Sequence, residues 1–176
     1  MKPILLLLSF FFTVILSEAQ IKRNFDGNIL GKTTKDEIKS YLTQKHQYYE
    51  EKEGGNAIQS VNEISFGGVI WSGSYYKFYN DTLYCVTYTK IVKSSKKEDQ
   101  TIKYKELREH LHKKYLKRNS KDNSNETAPE TLIKDKSTQI KLTFKHSRST
   151  PEYILKINYL DIRLDKLMKK KNMDDL

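Results

Sequence analysis

A chain of 176 residues with 37% hydrophobic content is long enough to bury one sizeable core, and its single cysteine, Cys85, excludes an internal disulfide framework. Thirty-two Lys and Arg against 22 Asp and Glu leave a net charge of +10, which favours anionic partners. The excess is mostly lysine without interleaved aromatics, a pattern of solvated faces rather than phosphate recognition, so no nucleic-acid partner is expected.

The chain opens as an export signal. Lys2 is a short basic start, Ile4 to Leu16 is apolar apart from Ser9 and Thr13, and Ser17-Glu18-Ala19 supplies small residues for cleavage between Ala19 and Gln20. The run is too short for a comfortable span, which takes roughly 20 apolar residues. No cysteine follows it, so no lipid anchor and no stable membrane attachment are expected after cleavage. Removal of residues 1–19 leaves a mature chain of 157 residues, 20–176, read as a single exported α+β domain, periplasmic or extracellular.

Thr34-Lys35-Asp36-Glu37 is a capping box, and Ile38, Tyr41 and Leu42 set one apolar stripe, so a helix is predicted to run to about Lys45. Glu50 to Gly55 reads as a loop. Val61 to Ile91 is the most strand-like stretch, rich in β-branched and aromatic residues. Gly67-Gly68 and Gly73 mark a bend, and Asn80-Asp81 a two-residue hairpin turn. That turn sets Phe78 against Leu83 and Tyr76 against Cys85 on a core face. The other face then carries Tyr75, Lys77, Tyr79, Tyr84 and Tyr88, with Trp71 nearby.

Ile91 to Lys121 holds 11 basic residues against four acidic ones, a net of +7. Within it Ile102 to Arg118 reads as a helix with Tyr104, Leu107, Leu111 and Tyr115 on its inner side, and Ser95 offers an earlier start. Asn119 to Pro129 reads as a loop. Leu132-Ile133 starts a short strand. Ile140, Leu142 and Phe144 alternate with polar residues, and Tyr153 to Leu160 is their partner, with Phe144 opposite Tyr153. Asp161 caps a terminal helix with Leu164, Leu167 and Met168 inward. The order predicts two approximate α-β-β-β halves, about 20–92 and 93–176, plus a short C-terminal helix. One antiparallel sheet with helices on one face satisfies it.

Gly31-x-Thr33-x4-Ile38-x3-Leu42, Phe66-Gly67-Gly68 and Phe78-x4-Leu83 resemble the small exported bacterial proteins built from tandem helix-plus-sheet repeats. The beta-lactamase inhibitory protein and the small lipoprotein of the barrel-assembly machinery belong to that group. The Lys-rich end closing on Asp174-Asp175-Leu176 is similar to small secreted proteins of the Bacteroidetes. The resemblance implies a protein-binding role for the uncovered sheet face. The inhibitor's paired disulfides and the lipoprotein's lipidated cysteine have no counterpart here.

No Gly-rich phosphate loop, nucleophile elbow or paired-cysteine metal pattern occurs, and no cofactor is expected. Glu106 and His110 share a helix face but make at most half a zinc site, whereas His110 and His112 point about 200° apart. Asn80-Asp81-Thr82 and Asn125-Glu126-Thr127 match glycan acceptor spacing. The sequence therefore favours a non-enzymatic binding module that meets a protein through Trp71, Tyr75, Lys77, Tyr79, Tyr84 and Tyr88. A glycan-binding module and a small secreted hydrolase or metal-dependent enzyme are the alternatives.

Overall fold

A computed structural model describes residues 21–115, 120–123 and 130–174. The signal segment, its cleavage point at Ala19 and Gln20, and Asn125 lie outside the described residues. The fold is α+β. Among the described residues its centre is one eight-stranded antiparallel sheet, accompanied by two small hairpins and three α-helices.

The first hairpin, β1 (Asn24–Phe25) and β2 (Asn28–Ile29), precedes α1 (Lys35–Gln44). The expected capping box starts α1. Thr34 Oγ1 accepts from the Glu37 amide at 3.3 Å, and the Glu37 carboxylate accepts from the Thr34 amide at 2.7 Å. The Thr34 amide, and the Thr34 hydroxyl that donates to the same carboxylate at 3.0 Å, hold the Glu37 carboxyl below its ordinary range. Ile38 and Leu42 are fully buried, as the apolar stripe requires.

The chain then forms β3 (Tyr49–Lys52) and β4 (Ala57–Ser60), a hairpin where the sequence reads a loop. Its turn needs three successive left-handed residues, Glu53, Gly54 and Gly55, with φ of 54°, 61° and 86°. The strand β3 has no apolar alternation because it is a solvent-facing edge, where charge discourages further pairing. The second small hairpin is β5 (Ile64–Phe66) with β6 (Val69–Trp71), turning on Gly67 and Gly68 at φ 62° and 74°. It leaves the main sheet and folds over the core. There Phe66 stacks on Tyr88 at 4.3 Å, and Trp71 Nε1 donates to the Phe66 carbonyl at 2.9 Å.

The long hairpin β7 (Gly73–Tyr79) and β8 (Thr82–Lys93) leads to α2 (Lys97–Tyr115). Tyr104 and Leu111 of α2 are buried, with Leu107 and Tyr115 packed beside them, the face the periodicity predicts. Strands β9 (Ser120–Asn123), β10 (Glu130–Lys134), β11 (Thr138–His146) and β12 (Glu152–Asp161) follow, then α3 (Ile162–Asp174). The strand β9 falls where a loop is expected, because it too is a polar edge strand. The register of β11 with β12 is Phe144 to Leu155, Leu142 to Ile157 and Ile140 to Tyr159, two residues from the expected one. An even shift leaves every side chain on its predicted face.

The strand order is β3-β4-β7-β8-β12-β11-β10-β9. Each half is therefore a helix followed by a four-stranded meander that runs from the sheet edge to its centre. The expected halves are correct in kind but carry four strands of the sheet instead of three. The halves meet where β8 pairs antiparallel with β12. Both α1 and α2 cover one face and share one apolar cluster with Ile58, Tyr76, Val86, Tyr88, Ile140 and Leu155.

The third helix corrects the expectation of helices on one face only. Leu164 of α3 packs with Tyr84 and Cys85, flanked by Tyr79, Leu160 and Met168, on the opposite face. Leu160 points to that side by strand alternation, and α3 starts directly beside it, with no loop to carry it across the sheet. Asp161 caps α3 as predicted, its Oδ1 accepting from the Leu164 amide at 3.0 Å. Leu167, expected inward, is 46% exposed.

Candidate functional site

The Asn80-Asp81 turn forms as the sequence predicts. Both residues are left-handed, with φ of 47° and 59°, and Tyr79 pairs with Thr82 and Phe78 with Leu83. Beyond that pair the register shifts. Lys77 pairs with Cys85, Tyr76 with Val86, Tyr75 with Thr87 and Ser74 with Tyr88. Tyr84 is the extra residue of a β-bulge, so every later residue of β8 changes face relative to an unbulged hairpin.

That one-residue insertion reassigns the predicted aromatic surface. Tyr88 turns into the main core at 2% exposure, and Trp71 lies beside it at 1%. Tyr84 and Cys85 face the other way but are buried under α3. Trp71, Tyr84 and Tyr88 are thus core residues, and Cys85 does not join Phe78, Leu83 and Tyr76. Tyr75, Lys77 and Tyr79 remain half-buried on the side away from α1 and α2. Glu53 organises two of them, accepting from Tyr75 Oη at 3.0 Å and from Lys77 Nζ at 2.7 Å. Lys77 also lies 5.6 Å from the Tyr75 ring centroid. The Lys77 contact, with Tyr75, draws the Glu53 carboxyl below its ordinary range.

The surface that α3 leaves uncovered follows from the pairing. One row runs Gln59, Tyr75, Thr87, Asn158 and Lys141 across five strands. The next runs Gly73, Thr89, Lys156, Thr143 and Glu130. A third brings Ile91, Ile154 and Lys145 together. Val61 and Ile91 are more than half exposed at its border. Two shallow depressions, of about 750 and 340 Å³, lie over these rows and share Thr87 and Lys156. Lys141 pairs with Glu130 at 2.8 Å, whereas Lys145 and Lys156 make no ion pair among the described residues. The β11 and β12 part of this surface was visible in the sequence as the polar half of the alternation. The Thr87 and Thr89 part was not, because the bulge sets it.

Burial pushes the Cys85 thiol up, against the opposing effect of the Asn158 amide, which donates to Sγ at 2.9 Å. A protonated, enclosed thiol is a packing group rather than a nucleophile. Glu106 bonds Lys103 at 3.0 Å along its helix, and no cluster of three metal-ligating side chains occurs among the described residues. Asn80 is exposed at the turn and Thr82 partly so; Thr82 Oγ1 donates back to the Asn80 carbonyl at 3.3 Å.

Burial pushes the Tyr75 and Tyr76 hydroxyls up to about 12. The Ser74 and Tyr88 hydroxyls lie close enough to Tyr76 to oppose this, although neither Tyr76 Oη nor Ser74 Oγ completes a well-formed hydrogen bond. An unfolded tyrosine ionises at about pH 10. Tyr76 therefore contributes its full stability below about pH 10 and loses it as pH rises toward about 12. Absorbance titration at 295 nm should show late-ionising tyrosines, and chemical denaturation at pH 11.5 should give a lower midpoint than at pH 9. Titration of every tyrosine near pH 10 in the folded chain would contradict the burial.

Comparisons with protein-family models, with curated proteins and with solved structures find no match to this chain.

Proposed function

We propose that this chain is an exported, non-enzymatic binding module that meets a protein partner on the uncovered sheet face. The observation that carries the reading is the asymmetry of the sheet. Two helices close one face, while the third covers only one end of the other. What remains is a broad, flat grid of Tyr75, Thr87, Thr89, Thr143 and Asn158, bordered by Ile91 and Ile154 and carrying Lys145 and Lys156, which make no ion pair among the described residues. A flat face with a Tyr anchor, adaptable polar groups and an apolar margin has the anatomy of a protein interface. The unpaired lysines favour a partner bearing carboxylates. The duplicated helix-and-meander plan is also what the resemblance to small exported tandem-repeat proteins implies. Export itself rests on the Ile4 to Leu16 run and the Ala19–Gln20 junction.

A photocrosslinking amino acid at Thr89, in the cells that make the protein, tests the surface. The expected result is a covalent adduct with one protein from position 89 and none from Lys105 on the exposed side of α2. Tyr75→Ala should weaken that capture by at least about 2 kcal/mol, as an interface anchor does. Reversing Lys145 and Lys156 to Glu should slow association and flatten its salt dependence. Adducts from position 105 but not from 89 would place the partner on the helical side and overturn the reading.

A further inference from the structure

A second site lies on the opposite side of the molecule. The β1–β2 hairpin, the β5–β6 hairpin and α2 do not close fully on one another. They leave a cleft of about 270 Å³ between them. This approaches the lower end of small-ligand pockets, roughly 300–1,000 Å³.

Its walls are aromatic. Phe25 meets Tyr159 edge to face at 4.7 Å, and Phe66 stands 5.7 Å from each. Trp71 and Leu111 complete the apolar lining. Phe66 and Leu107, only partly buried, give the open part of this wall, with Phe25 and Tyr159 almost wholly buried behind them, and an aromatic wall of this kind suits a flat aromatic guest.

Its rim is cationic. Lys22 and Lys114 stand at the mouth, both exposed, and neither forms an ion pair among the described residues. Lys114 lies 5.3 Å from the Tyr115 ring centroid, a cation–π contact that leaves the ammonium without a carboxylate partner among the described residues. His110 stands beside them. One acidic side chain, Asp26, also lines the mouth and accepts from the Tyr41 hydroxyl at 3.2 Å; against it, Lys22 and Lys114 leave the rim net positive. An aromatic slot with two exposed ammonium groups at its mouth, neither held by a carboxylate among the described residues, selects a ring that carries one anionic group.

We infer that this cleft binds a small aromatic monocarboxylate, with its ring against Phe25, Phe66 and Tyr159 and its carboxylate at Lys22 and Lys114. The site is independent of the sheet face, since it opens on the side that carries α2. It also gives His110 a place: a residue without a metal site stands at the mouth of a ligand cleft.

The chain supplies its own reporter, because Trp71 is its only tryptophan and lines the cleft. Naphthalene-2-carboxylate titrated into the mature chain should change Trp71 emission saturably at one equivalent, half-complete below about 1 mM, as expected for a ligand of this size. The double variant Lys22→Glu, Lys114→Glu should bind it at least about tenfold more weakly while melting as the unaltered chain does. Neutral 2-naphthalenemethanol should bind both proteins alike. Leu107→Phe, which fills the slot from α2, should weaken both compounds, and Lys145→Glu with Lys156→Glu should weaken neither. The proposal is overturned if no saturable response occurs up to about 5 mM. It is equally overturned if the charge-reversed rim binds the carboxylate unchanged, or loses the neutral alcohol to the same extent.

Discussion

Trp71→Ala should cost about 3–5 kcal/mol, the range for deleting a large buried aromatic. Trp71 is 1% exposed and is enclosed by Phe66, Tyr88 and the cleft wall. Its indole N–H donates to the Phe66 carbonyl across the β5–β6 hairpin, so the truncation also removes that bond. The hairpin has two three-residue strands and closes on itself alone. A hairpin of that size has little stability of its own and depends on what it packs against. The loss should therefore show twice: as a lower urea midpoint by circular dichroism, and as early proteolytic cutting near Gly67-Gly68. Trp71→Phe should retain most of the stability, because it keeps the ring and loses only the indole bond. A cost below about 1 kcal/mol for Trp71→Ala would put this residue on the surface and contradict the packing of the β5–β6 hairpin over the core.

The boundary between what was legible in the sequence and what was not follows the physics of each element. The capping box at Thr34, the stripe Tyr104, Leu107, Leu111 and Tyr115, the alternation of β11 and β12, and the Asn80-Asp81 turn are all local signals. All four formed. Edge strands carry no such signal, since they bury one side at most, and β3 and β9 were invisible for that reason. The bulge at Tyr84 was the costly omission. No residue type announces it, and it moved Tyr88 from a predicted surface to the core. What selects it is tertiary. Tyr88 gains a stacked partner in Phe66, and Tyr84 gains Leu164, neither of which the hairpin alone provides. The placement of α3 was likewise undetermined by its own periodicity, because an amphipathic helix fits either face. The parity of Leu160 decided it.

Asp161→Ala should be destabilising by about 3 kcal/mol or more, well above the 0–1 kcal/mol of an exposed pair. Asp161 is 1% exposed and serves two elements at once. One carboxylate oxygen accepts from the Leu164 amide and starts α3; the other meets the guanidinium of Arg23. Arg23 in turn donates to the Leu30 carbonyl from Nε at 3.1 Å and from Nη2 at 2.8 Å. The pair thus ties the N-terminal hairpin to the C-terminal helix across 138 positions of chain. Gly31 passes directly over it at φ 81°, where a Cβ would run into both Arg23 and Asp161. Loss of the cap alone costs about 1 kcal/mol. The remainder is the penalty of an arginine, only 25% exposed, whose countercharge has gone. Asp161→Asn separates the two effects, since the amide oxygen can still cap α3 while the charge is lost. A double-mutant cycle with Arg23→Ala measures the pair directly and should return a coupling above about 1 kcal/mol. Because Leu164 packs on Tyr84 and Cys85, the Asp161→Ala chain should also expose Cys85 to thiol reagents before it unfolds globally. A coupling under about 0.5 kcal/mol, with Cys85 still protected, would show that α3 is held by its apolar contacts and not by this ion pair.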